Sequence, residues 1–197
     1  ISRFTKDPNG ALKFQEELDT AVSVLERIRH LNKKAKIYYI RGNHEARIQK
    51  FLWNNAKELS GLHALEIENL LEFKRLGIEY VKDGMTKYKG IIVKHGSVVR
   101  KYAGYTAKAE FEKNGCSGVS AHTHRQCIYR QNNAGGDYVW VEAGHLCDPN
   151  QEYLEGEKPN WMSGWGIGWF KKNSKRYHLE LISLINYKAF YGGREFS

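Results

Sequence analysis

A chain of 197 residues with 41% hydrophobic and 27% charged residues has the composition of an ordinary globular domain, which excludes intrinsic disorder and fibrous repeats. No apolar run approaches the ~18 residues of a spanning helix, and no basic segment followed by an apolar one opens the chain, so the expectation is one cytoplasmic domain with no membrane partner. The 31 Lys and Arg against 22 Asp and Glu leave +9, which permits a polyanionic partner and equally suits a solvated basic surface, because the basic residues are spread along the chain.

In chain order, Asp7-Pro8 reads as a helix start, and Leu12, Leu18, Val22, Leu25 and Ile28 recur at helical spacing to about His30. Ile37-Tyr38-Tyr39-Ile40 is a short β-type run that ends at Gly42. Helical patterns follow from Glu45 to Leu59 and from about Ala64 to Phe73. Two β-type runs, Ile78 to Val81 and Gly90 to Lys94, precede a helix predicted from about Lys101 to Lys113. The small-residue run Ser117 to Ala121 leads into His122-Thr123-His124. Beyond it, Gln126 to Arg130, Asp137 to Val141, Trp165 to Phe170 and Tyr177 to Ile185 favour β-branched and aromatic residues between turn signals. Alternating α and β first, with strands later, predicts a layered α/β fold whose ligands bind at strand ends, and no composition shift marks a domain boundary. Cys116, Cys127 and Cys147 have no C-x-x-C spacing and read as buried reduced thiols.

Four strand ends carry His or Asn beside Gly or Ala: Gly42-Asn43-His44-Glu45, Lys94-His95-Gly96, Ala121-His122-Thr123-His124 and Gly144-His145. Singly, each is an ordinary turn. On a strand, however, residues i and i+2 point to the same side and start ~6.5 Å apart, a separation that brackets two metal ions ~3.5–4 Å from each other.

Read together and in order, GNHE at 42–45, KHG at 94–96 and AHTH at 121–124 resemble the later blocks of the calcineurin-like metallophosphoesterase superfamily, with Ser2 to Pro8 similar to its phage-like and prokaryotic group. The resemblance implies an αββα sandwich and a hydrolase that opens phosphoester bonds with two divalent ions, Mn²⁺, Fe²⁺ or Zn²⁺. It implies that Asn43, His95 and His122 hold one ion and His124 the other, while His44 faces the scissile phosphate as the catalytic residue. Glu45 then has a structural or outer role. The family's first two blocks, Asp-x-His and Gly-Asp-x-x-Asp, are absent, so the chain is expected to be N-terminally truncated, beginning downstream of the bridging aspartate and holding fewer ions. Charge agrees: the four implied ligands are neutral and would leave two divalent ions uncompensated.

Arg100, Lys101, Tyr105 and Arg125 flank these blocks and are candidates for contact with a phosphate or leaving group; Arg100 and Arg125 are taken as substrate-binding. With Arg41, Arg47 and Lys94 they favour DNA or RNA as substrate, ahead of a small phosphodiester. His145 either lines the pocket or occupies a turn. Trp161, Trp165 and Trp169 recur every four residues, but the intervening glycines argue against a helix and for β-strand core packing. The competing reading is a non-catalytic nucleic-acid-binding or phage structural module that retains the fold.

Overall fold

The computed structural model describes residues 14–148, 154 and 157–197. The expected helix start at Asp7-Pro8 and the Ser2 to Pro8 stretch lie outside them. The chain is of mixed α/β class and divides into two compact units between Asp83 and Gly84, where the sequence offers no linker.

In the first unit, helix α1 (Phe14–Leu31) supplies Leu18, Val22 and Leu25 to a core with Leu71, Phe73, Leu76 and Ile78. Strands β1 (Ile37–Ile40) and β2 (Ile78–Val81) pair in parallel. The guanidinium of Arg29 ties α1 to the turn before β2, with Nε donating to the Leu76 carbonyl at 2.7 Å and Nη2 to that of Gly77 at 2.7 Å. Helix α2 (Glu45–Asn55) is shorter than its periodicity predicts, because Ala56 leaves the helical region at φ −153°. The single helix expected over 64–73 is instead a 3-10 turn at His63–Leu65 and two short helices, α3 (Ile67–Leu70) and α4 (Phe73–Leu76). Glu72 sits at φ +54° between them, and this break lets Leu71, Phe73 and Leu76 all enter the core.

The second unit holds a five-stranded and a four-stranded sheet. The first contains β3 (Met85–Tyr88), β4 (Ile91–Lys94), β5 (Gly118–Ser120), β6 (Gln126–Asn133) and β7 (Gly136–Ala143), in the order β3-β4-β5-β7-β6. Its centre, β4-β5-β7, is parallel. Helix α5 (Tyr105–Asn114) covers one face. Strict alternation divides the side chains: Ile92 and Trp140 pack with Ala107 and Phe111 of α5, whereas Ile91, Val139 and Val141 pack with Leu179 of the other sheet. That sheet contains β8 (Gly164–Phe170), β9 (Tyr177–Ile185), β10 (Lys188–Tyr191) and β11 (Arg194–Phe196), in the order β11-β10-β9-β8. Trp165 and Trp169 do not pack as expected. They lie on the opposite face of β8 from Gly166 and Gly168, and Trp169 is half exposed with its indole N–H on Glu180. The position of Gly166, in contrast, faces Val141.

Gly118 fixes the centre of the five-stranded sheet. A Cβ there would stand 2.6 Å from the Trp140 ring and 2.9 Å from the Ile92 carbonyl oxygen, with no flexible group to move. Gly118→Ala is therefore expected to lower stability by ~1–3 kcal/mol, read as a shift of the urea midpoint; an unchanged midpoint would contradict the packing described.

Candidate metal centre

Parallel pairing sets the second and third blocks side by side. Lys94 is in register with Ser120 at the ends of β4 and β5, and the next residues continue the contact, Ala121 N–H donating to the His95 carbonyl at 2.9 Å. His95 Nε2 and His122 Nδ1 consequently share a hydrogen bond of 3.0 Å, both rings half-buried.

His122 and His124 are not on a strand, contrary to the expectation from their spacing, because β5 stops at Ser120. Thr123 N–H donates to the Ala121 carbonyl at 2.7 Å, closing a three-residue turn about His122 at φ +67°, and His124 follows at φ +60°. Left-handed backbone at two non-glycine residues is a cost that surrounding structure must hold in place. Glu142, wholly buried on β7, does so: one carboxylate oxygen accepts Thr123 Oγ1–H at 2.8 Å and the other accepts the Gly104 N–H at 2.7 Å, before α5.

A second buried carboxylate lies near the histidine pair. Glu110 of α5 is fully buried and bonds Lys94 Nζ at 2.5 Å, while its Oε1 is buried without a hydrogen-bond partner among the described residues. Lys94 is thereby withdrawn from the expected phosphate-contacting set.

Burial pushes the His122 imidazole below its ordinary value despite the opposing pull of Glu110, and burial does the same to His145. Both rings thus favour the neutral form, whose free nitrogen can ligate a metal. The unfolded chain binds these protons more readily, so the stability they contribute is complete above about pH 6.5 and is lost as pH falls below it. In chelator, the unfolding free energy of the wild-type protein, read by urea titration, is expected to drop on acidification by at most ~1.4 kcal/mol per pH unit for each group. His122→Asn/His145→Asn should flatten that slope; an equal slope in the variant would contradict the assignment.

His124 lies in a different cluster from the pair. Its ring stacks on that of His145, centroids 5.1 Å apart, and Trp161 packs edge-on against both. His145 follows β7, is buried, and its Nδ1 stands 3.0 Å from Cys147 Sγ. Cys147 is exposed and Cys116 and Cys127 are half-buried, so the expectation of three buried thiols is corrected, while all three are free. Of the two readings left open for His145, the structure supports its place in the histidine cluster.

The two proposed substrate arginines differ. Arg100 is exposed. Arg125 is buried, and its Nη1 and Nη2 donate to the carbonyls of Lys101 at 2.8 Å and Arg100 at 2.6 Å; its visible role is to hold that loop rather than a phosphate. Asn43 and His44 are exposed in the loop before α2 in the first unit. Glu45 has the structural role expected, one carboxylate oxygen accepting the Gly42 N–H at 2.7 Å and the other the Tyr39 hydroxyl at 2.9 Å.

The chain is similar to phage proteins. It is 31% identical over 137 residues to the Gene 54 protein of Mycobacterium phage D29, covering 64% of this chain and 53% of that protein. It is 28% identical over 166 residues to the Gene 54 protein of Mycobacterium phage L5, covering 78% of this chain and 63% of that one. The chain thus spans between half and two thirds of the length of these curated relatives. No family model matches it, and no solved structure does. Among the described residues, no helix is long and apolar enough to cross a membrane.

Proposed function

We propose that this chain is the histidine-bearing part of a metal-dependent phosphoesterase, built as a layered αββα sandwich, that hydrolyses phosphoester bonds in nucleic acid at a dinuclear centre. The observation that carries the reading is the His95–His122 pair at the ends of adjacent parallel strands. Two imidazoles on one tetrahedral ion have nitrogens roughly 3.3 Å apart for bonds of ~2.0–2.1 Å, close to the 3.0 Å found here. Beside the pair, the buried Oε1 of Glu110 is a candidate oxygen ligand, on a carboxylate whose charge Lys94 already balances. The stacking of α5, the five-stranded sheet and the four-stranded sheet supports the αββα reading.

The chemistry that two divalent ions would supply there is activation of a water and neutralisation of charge on the phosphoryl oxygens. The chain's own residues do the rest. His95 and His122 would hold one ion and His124 the other. Glu142 orients the turn that carries His122 and His124. His44 would give a proton to the departing ester oxygen, a task worth ~10²–10⁴ in rate.

Nucleic acid is favoured by the +9 charge and by exposed Arg100 and Lys101. With a His44→Ala protein, to prevent cleavage, the logarithm of affinity for DNA or RNA is expected to fall with the logarithm of salt by ~0.9 per contacted phosphate on duplex and ~0.7 on single strands. Arg100→Ala/Lys101→Ala should make that slope shallower. A flat response, or no binding at low salt, would move the substrate to a small phosphodiester.

A further inference from the structure

We propose that His124, His145 and Cys147 form a binding site for one zinc ion, with two imidazoles and one thiolate as ligands. The inference rests on the second unit alone and stands without phosphoesterase activity; under the proposed function this ion is the one that His124 holds, with His145 and Cys147 as its further ligands. One ligating atom from each of the three residues lies within 4.8 Å of the other two, and the Cys147 Sγ to His145 Nδ1 separation is 3.0 Å. Donors on a tetrahedral zinc stand roughly 3.3–3.8 Å from one another, given Zn–S of ~2.3 Å and Zn–N of ~2.0–2.1 Å. Small side-chain rotations close the cluster onto one ion.

The backbone holds the donors in place. Met162 N–H donates to the His124 carbonyl at 2.7 Å, and its own carbonyl accepts the His145 N–H at 3.3 Å, so one residue fastens both histidines. Gly144 makes this approach possible, since at φ +85° a Cβ there would fall 2.5 Å from the Met162 carbonyl oxygen. Ser163 Oγ lies 3.4 Å from His145 Nε2, an outer partner that leaves Nδ1 to the metal, as metal-bound histidines commonly require. Trp161 shields the ring faces. A cleft of about 380 Å³ bordered by Cys147, Asp148, Ser163 and Leu184 leaves room for a fourth ligand. The thiolate supplies negative charge that imidazoles do not, and its softness selects Zn²⁺ over Mn²⁺ or Mg²⁺.

Cobalt(II) titration of the full chain, purified reduced and metal-free, reads the site directly. One equivalent is expected to give a thiolate-to-cobalt charge-transfer band in the near ultraviolet, which zinc then displaces. Cys147→Ser should abolish the band, and His145→Ala should weaken binding by ~10–100-fold or more, with circular dichroism showing both variants folded. His95→Ala should leave the band intact. No charge-transfer band in the wild-type protein, or a band that survives in Cys147→Ser and so belongs to Cys116 or Cys127, would overturn the proposal. A band in this chain, together with no hydrolysis of phosphodiester by the full-length protein, would sustain the zinc site while removing the phosphoesterase reading.

Discussion

A His44→Ala protein is expected to bind Mn²⁺ as the wild-type protein does and to hydrolyse phosphodiester ~10²–10⁴-fold more slowly, whereas His122→Ala is expected to lose the ion at the His95–His122 pair and the activity with it. The two histidines differ in surroundings. His122 is half-buried with its Nδ1 3.0 Å from His95 Nε2, so its removal deletes half of a two-imidazole ligand set. His44 is exposed at the start of α2, as suits a group that meets substrate. Because His122 lies at φ +67°, His122→Asn is the better-tolerated second variant, asparagine being at ease in left-handed backbone. Metal content by elemental analysis and turnover under Mn²⁺ give the two readouts. Metal lost together with rate in His44→Ala would make His44 a ligand, and metal retained in both His122 variants would remove the pair from the centre.

The largest effect on stability is expected at Lys94. Its side chain is 10% exposed and faces Glu110, which has no exposure at all. Lys94→Met leaves that carboxylate buried with only the Asn114 amide as a hydrogen-bond partner among the described residues, at 3.3 Å, and should destabilise the protein by ~3–5 kcal/mol. Lys94→Met/Glu110→Leu should recover most of the loss, because replacing both members of a buried pair by apolar groups is often neutral. Urea unfolding of the wild-type, Lys94→Met, Glu110→Leu and doubly substituted proteins measures the coupling. Equal losses in the single and double variants would show that packing, and not charge, dominates the site. Recovery of stability with loss of Mn²⁺ binding in the double variant would place the Glu110 carboxylate in the service of the metal centre.

Much of the secondary structure was legible because its signals are local. The runs at 37–40 and 78–81 became β1 and β2 with those same bounds. The run from Asp137 to Val141 lies within β7, and the structure adds that Trp140 faces α5 while Val139 and Val141 face the other sheet. What escaped were hairpins. β3 joins β4 through Lys89-Gly90, both at positive φ, and β10 follows Asn186-Tyr187, again both positive. A tyrosine in left-handed backbone is uncommon enough to hide such a turn, whereas Gly192-Gly193 before β11 is a hairpin signal that could have been read. At the candidate site, His95, His122 and His124 were visible as strand-end histidines. Glu110 and Glu142 were not, since a carboxylate inside a helix or strand reads as solvated until the topology buries it. Cys147 stood two residues from His145 throughout, but spacing of that kind is too common to mark a site without the Trp161 to Ser163 strap that folds against it.

The most direct measurement is hydrolysis by the full-length protein of a generic aryl phosphodiester and of DNA and RNA oligonucleotides, with and without Mn²⁺. Metal-dependent cleavage is expected, which chelator abolishes, which His122→Ala eliminates, and which His44→Ala slows while its metal stays bound. Salt-sensitive binding of the oligonucleotides without cleavage under any divalent ion, in protein shown to carry its metal, would contradict that expectation and make the chain a nucleic-acid-binding module on this fold.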